Sequence, residues 1–171
     1  VITKETIPQP KSHYGKSKLQ AEEGIFYLED DTFKICILRP PMVYGAGCKG
    51  NFQTFVKVVK ISPIFPKVKN QRSMIHIDNL CGYIMYIIKE KCSGLIFPQN
   101  SDIVNTSDMA KFIAERLNKK VYFSRLLGAL VKIGCFFSTT LKKAFGSLTY
   151  DIKIEFAISD IIGFADSVKQ S

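Results

Sequence analysis

An α/β fold with a largely parallel sheet is what this sequence predicts. Two observations carry the prediction. Short apolar runs rich in β-formers alternate with stretches of helical periodicity, and prolines, glycines or aspartates mark the junctions between them. A third bounds it: 171 residues, 46% apolar and 23% charged, suffice for one domain with a real core and exclude disorder as the dominant state.

Taken in order, Val1 to Lys11 holds Pro8 and Pro10 and is expected to be an extended loop. Ser12 can cap a helix to about Leu28, with Tyr14, Lys18, Ala21 and Ile25 at helical spacing. Asp30-Asp31 ends it. Phe33 to Leu38 is a buried strand stopped by Pro40-Pro41. Gly45, Gly47 and Gly50 make a loop, after which Asn51 can cap a helix to about Lys60. Pro63 and Pro66 bracket a second loop. Ser73 to Ile77 alternates as a strand, and Asp78 or Asn79 opens a helix reaching Glu90.

Gly94 to Pro98 is a further strand. Thr106-Ser107-Asp108 caps a helix whose Met109, Phe112, Ile113 and Leu117 form one apolar stripe. Val121 to Phe123 is a short strand, followed by helical apolar sequence to Phe145. Within that stretch Leu126 to Phe137 is interrupted by Lys132 and is shorter than the roughly 20 residues a bilayer crossing needs. It is expected to be a buried helix, with a helix on a membrane surface as the alternative. No membrane span is predicted.

Charge and cysteine usage narrow the function classes. The net charge is +9, but 20 lysines stand against 4 arginines. Base readout leans on arginine forks, so a nucleic-acid partner is not expected. A solvated basic surface, or a basic cleft for a phosphorylated ligand, accounts for the excess. Cys36, Cys48, Cys81, Cys92 and Cys135 are odd in number, and no pair has Cys-x-x-Cys spacing. Buried free thiols in a reducing, cytoplasmic setting are expected. His13 and His76 have no clustered partners for a metal, and none is assigned.

The run Gly45-Ala46-Gly47-Cys48-Lys49-Gly50 has the spacing of a dinucleotide fingerprint. Two prolines and a gap separate it from the strand ending at Leu38, and no acidic residue follows about 20 positions on. The fingerprint is therefore not assigned. The sequence also begins in mid-loop, as expected of a fragment of a longer chain.

The chemistry concentrates at Tyr14-Gly15-Lys16-Ser17-Lys18, which sets a phenol and an ammonium one helical turn apart. A phenol is a poor base at neutral pH, and a neighbouring cation favours its ionised form, letting it exchange a proton with a substrate hydroxyl. By spacing alone such a pair is close to chance. Its context carries more. Glu5-x-x-Pro8-x-Pro10 precedes it and Ala21-Glu22 follows; then come Leu38-Arg39-Pro40-Pro41-Met42-Val43-Tyr44-Gly45 and Gln71-Arg72-Ser73-Met74-Ile75-His76-Ile77-Asp78-Asn79-Leu80.

These three segments, in this order, resemble the extended short-chain dehydrogenases/reductases, the NAD-dependent epimerase/dehydratase group that includes UDP-galactose 4-epimerases. The resemblance covers roughly residues 5 to 117 and implies the C-terminal part of a doubly wound NAD-binding Rossmann domain, interleaved with a small α/β substrate domain. Residues 1–45 and 76–99 would belong to the former, and 46–75 and 100–171 to the latter. It further implies NAD as cofactor and a nucleotide-sugar, above all a UDP-sugar, as substrate. Dimerisation through the Tyr14 helix would also fit.

Carried over by position, Tyr14 matches the catalytic acid/base, and Lys18 the residue that binds the nicotinamide ribose and tunes the tyrosine. Pro40 falls where the backbone approaches the nicotinamide carboxamide. Asn51 resembles a substrate-phosphate contact or is only a helix cap. Arg72 matches an arginine pairing with the diphosphate or is a surface charge. His76 is expected to be structural, and Asp78 a cap. Met42 stands where epimerases often have an Asn that holds the sugar nucleotide. The family's Ser/Thr and glycine-rich cofactor loop fall outside the sequence. A non-catalytic family member is the alternative reading.

Overall fold

In a computed structural model, described for residues 1–48 and 51–150, six helices are interspersed with six short strands. They are α1 (His13–Phe26), β1 (Cys36–Leu38), β2 (Met42–Tyr44), α2 (Asn51–Ile61), β3 (Ile64–Pro66) and β4 (Met74–His76). There follow α3 (Ile77–Lys89), β5 (Gly94–Ile96), α4 (Thr106–Arg116), β6 (Tyr122–Ser124), α5 (Arg125–Phe137) and α6 (Thr139–Phe145). Every strand pairs in parallel: β1 with β5, β2 with β4 and β3 with β6. The expected α/β architecture with parallel sheet is the observed one. Lys49, Gly50 and the stretch expected to complete the substrate domain beyond Tyr150 lie outside the described residues.

Ser12 caps α1 as the sequence predicts, its Oγ accepting from the Gly15 N–H at 3.1 Å. Gly15 is needed there because a Cβ would stand 2.8 Å from Pro10 Cβ. The helix buries none of its residues, and Tyr14, Ile25 and Phe26 are exposed. The main core lies elsewhere. Tyr44 and Met74 from the β2–β4 pair, Phe65 from β3, Phe52 and Val59 from α2, and Met109, Ala110 and Ile113 from α4 pack into one cluster. Phe65 meets Phe55 and Phe123 edge-on, at ring-centroid distances of 5.6 and 6.1 Å, in the T-shaped geometry aromatic quadrupoles favour.

Several elements differ from expectation for local reasons. The first strand starts at Cys36, not Phe33, because the Asp30 carboxylate accepts from the backbone N–H groups of Thr32 (2.7 Å) and Phe33 (2.8 Å) and folds them into a turn. Beyond Pro40-Pro41 the chain resumes as β2 instead of entering the loop at once. The segment between Pro63 and Pro66 is strand, not loop: Pro66 closes β3, where its missing N–H costs nothing, and Phe65 is buried.

Capping positions shift as well. Asn51 is the first residue of α2 and not the residue before it. His76, not Asp78 or Asn79, caps α3, its Nδ1 accepting from the Asp78 N–H at 3.4 Å. Asn105, not Thr106, caps α4, with its carbonyl oxygen accepting from the Ser107 N–H at 2.7 Å. The apolar helical stretch to Phe145 is broken at Ser138, which ends α5 and caps α6. The expectation of a buried helix over Leu126–Phe137 is overturned. Only Gly128 of α5 is buried, because the helix meets the Lys67 backbone there and α6 near Gly134 while its remaining face is left to solvent.

Candidate active site

Tyr14 and Lys18 occupy successive turns of α1, and Lys18 Nζ lies 5.6 Å from the centroid of the Tyr14 ring. The phenol is 74% exposed, free to meet a second molecule. Glu22 follows four residues later on the adjoining turn. Its two carboxylate oxygens accept from Arg39, one from Nε at 3.1 Å and the other from NH2. Arg39 also donates its backbone N–H to Ile96 O at 2.9 Å, prolonging the β1–β5 ladder, and its guanidinium lies 5.9 Å from the Phe97 ring centroid. The same side of α1 that carries the Tyr14–Lys18 pair is thereby fastened to the C-terminal end of β1, next to Pro40.

Asn51 is exposed at the first position of α2, where unpaired backbone N–H groups give a helix start its positive character. Arg72 is placed otherwise. Its NH1 donates to the carbonyls of Lys143 (2.7 Å) and Ala144 (2.9 Å) at the end of α6, and burial lowers the pKa of its guanidinium. Its backbone also bridges to Val104. The structure sets Tyr14 and Lys18 side by side on α1, ties Glu22 of the same helix to Arg39, the residue before Pro40, places Asn51 at a separate helix start, and turns Arg72 toward α6.

The glycine loop that joins β2 to α2 has Gly45 at φ 138° and Gly47 at φ 73°. It follows directly on a strand after all, so the gap argued from Leu38 does not exist; the missing acidic partner still sets it apart from a dinucleotide fingerprint. A Cβ at Gly45 would stand 2.9 Å from His76 Nε2. His76 is buried, its ring 5.3 Å from that of Tyr44, and its Nε2 has no hydrogen-bond partner among the described residues. Burial lowers its pKa, against a smaller opposing pull from Asp78.

Behind this loop sits a polar network that sequence reasoning missed. Asn100 Oδ1 accepts from the His76 N–H at 3.2 Å and from Asn79 Nδ2 at 3.0 Å, while its Nδ2 donates to Tyr44 Oη at 3.1 Å. The only available signal was an Asn two residues after the buried run ending at Pro98. A second network ties Asn70 to Thr106 by two bonds, at 2.7 and 2.9 Å.

Comparison with known proteins bears on the family and the fold. The model of the NAD dependent epimerase/dehydratase family matches residues 2–97. A UDP-glucose 4-epimerase of Vibrio cholerae is 31% identical over 119 residues, 66% of this chain and 36% of the relative. An N-acetyl-alpha-D-glucosaminyl-diphospho-ditrans,octacis-undecaprenol 4-epimerase of Escherichia coli O157:H7 is 29% identical over 145 residues, 80% of this chain and 44% of the relative. The structure of a UDP-glucuronic acid 4-epimerase from Bacillus cereus in complex with NAD superposes with a TM-score of 0.72 at 17% identity, over 99% of this chain and 52% of that one. The chain therefore spans about half or less of the length of these relatives. Its fold is theirs over the shared part, and since the family match takes in more than half of its residues, the chain belongs to the NAD dependent epimerase/dehydratase family.

Proposed function

We propose that this chain forms the acid/base and substrate side of an NAD-dependent enzyme that epimerises or dehydrates a nucleotide-sugar. The observation that carries this reading is the exposed Tyr14–Lys18 pair on α1, the helix that the Glu22–Arg39 clasp ties to the end of β1. The pair fits the nicotinamide end of NAD by its chemistry: Lys18 offers ammonium donors to ribose hydroxyls, and the Tyr14 hydroxyl stands clear of the protein surface. When bound, NAD supplies the hydride acceptor and donor at the sugar carbon. Tyr14 takes the proton from the hydroxyl on that carbon, leaving a 4-keto sugar, and returns it afterwards.

Asn51, at the start of α2, is assigned to the substrate phosphate by the affinity of helix N-termini for anions. Arg72 is assigned to the diphosphate through the guanidinium nitrogens not directed at α6. In this reading residues 1–45 and 76–99 belong with the cofactor domain, and 46–75 with 100–171 make the substrate domain. Packing of Phe65 from β3, Phe52 and Val59 from α2, and Met109 and Ile113 from α4 into one core supports that division, with Tyr44 of β2 joining this core from the cofactor side. UDP is the nucleotide favoured by the names of the relatives. The thiols are free but not buried as expected, Cys81 being exposed and the other four half-buried, and free thiols accord with a reducing, cytoplasmic setting.

The test is Tyr14→Phe in the full-length parent enzyme. Turnover should fall to background while calorimetric NAD binding is retained. Full turnover in the variant rules the assignment out.

A further inference from the structure

Helix α5 presents to solvent the residues expected of a core helix. Leu126, Leu130, Ile133 and Phe137 recur at i, i+4, i+7 and i+11, one stripe of the helix, with Phe136 beside it. All five are exposed, Phe136 at 82% and Phe137 at 87%. The opposite side is seated firmly: Gly128 lies so close to the backbone of Lys67 that a Cβ would fall 2.2 Å from Lys67 O. On a third side α6 packs against Gly134, where a Cβ would meet Leu141 at 2.7 Å. The apolar stripe is therefore the outward face of a fixed helix.

Its surroundings are basic. From Arg116 to Tyr150 the sequence has seven basic residues and no acidic one, so this segment alone contributes +7 of the chain's net +9. Lys119 is spent on the fold, its Nζ donating to the carbonyls of Val59, Lys60 and Ser62 at the end of α2. Arg125, Lys132, Lys142 and Lys143 remain exposed around the stripe, the first two on α5 and the others on α6. Among the described residues no helix is long and apolar enough to cross a membrane, and 13 residues of α5 span only about 20 Å.

A short helix with aromatic and leucine side chains on one face and cations beside it has the chemistry of a segment lying in the plane of a lipid surface. The rings enter the acyl boundary, and the cations meet anionic headgroups. We propose that α5 and α6 dock the protein onto an anionic bilayer, with Leu126, Leu130, Ile133, Phe136 and Phe137 inserted and Arg125, Lys132, Lys142 and Lys143 at headgroup level. The charge decides between occupants: a second copy of this chain would set one all-basic patch against another, whereas anionic lipid neutralises it.

The test uses the whole chain with vesicles of phosphatidylcholine alone or mixed equally with phosphatidylglycerol. The chain contains no tryptophan, so Phe137→Trp provides a single tryptophan that can be excited selectively over the seven tyrosines. Its emission should shift to the blue with the mixed vesicles and stay unchanged with phosphatidylcholine alone. Phe136→Glu/Phe137→Glu should cut co-sedimentation with mixed vesicles by about tenfold or more. Lys132→Gln/Lys142→Gln/Lys143→Gln should cut it by about a hundredfold, and 1 M salt should act in the same direction. All these side chains are exposed, so an unchanged circular dichroism spectrum and melting temperature are expected. Failure of the native chain to bind mixed vesicles overturns the proposal. So does undiminished binding by the double glutamate variant, or a dimer that this variant dissociates.

Discussion

Arg39 grips Glu22 through Nε and NH2 together, and this two-pronged ion pair fastens a helix that buries no residue of its own. A guanidinium fork matched to a carboxylate combines charge with fixed geometry, and both partners are largely shielded, at 24% and 17% side-chain exposure. Glu22→Gln should therefore lower stability by about 1.5–3 kcal/mol. Arg39→Lys should not restore it, because an ammonium cannot span both oxygens. Urea unfolding gives the first number, and hydrogen exchange should show the amides of α1 losing protection ahead of the core. Native-like stability in Glu22→Gln would mean that something other than this pair holds α1.

Two glycines in helices should respond to alanine with opposite signs. Gly24 in α1 has nothing within 4 Å of a built Cβ, so Gly24→Ala gains helix propensity alone and should stabilise by about 0.5–1 kcal/mol. Gly128 in α5 faces the Lys67 carbonyl at 2.2 Å from such a Cβ. Backbone cannot move aside as a flexible side chain can, so Gly128→Ala should destabilise by about 1–3 kcal/mol despite the same propensity gain. Thermal melts of the two variants decide it. A stabilised Gly128→Ala would show that α5 can lift away from the 63–68 segment.

What could be read from the sequence divides along physical lines. Ser12 and the 3.6-residue recurrence after it disclose α1, because a cap and a period are local features. The three-residue strands β2 and β3 are too short for alternation to register, and Pro66 argues against a strand unless it is known to sit at the strand's end. An apolar helix such as α5 looks the same in sequence whether it faces core or solvent; tertiary packing alone separates the two. The candidate site follows the same division. Tyr14 and Lys18 were legible through an ordered motif, whereas Glu22 and Arg39 are 17 residues apart and nothing in their spacing announces that they meet. Asn100 was invisible for the same reason, since its three partners come from β2, β4 and α3.

Arg72 separates a structural from a substrate role. Its NH1 bonds to Lys143 and Ala144 supply donors to carbonyls that α6 leaves unpaired at its end. Arg72→Met keeps the aliphatic stem and removes the donors, so stability should fall by about 1.5–3 kcal/mol, with faster amide exchange in α6. Arg72→Lys should recover part of this. In the full-length enzyme, a rise in substrate KM for Arg72→Lys beyond any stability change would mark the diphosphate contact. Unaltered stability in Arg72→Met would show that α6 does not depend on it.

His76 should make the fold sensitive to mild acid. Its imidazole is neutral where it stands: Nδ1 accepts from the Asp78 N–H, which places the ring proton on the buried Nε2. Burial holds the folded-state pKa below the ordinary value near 6.5, and Asp78 only partly offsets this. The unfolded chain consequently binds the proton more readily, so stability rises with pH across this range. His76 contributes its full share above about pH 6.5, and that share is lost as pH falls from there through the lowered folded value. Melting temperature recorded from pH 7.5 down to 5 should drop more steeply for the native chain than for His76→Asn. The asparagine keeps an oxygen to cap α3 and carries no titratable group. Parallel curves for the two proteins would show that the acid sensitivity resides in the carboxylates and not in His76.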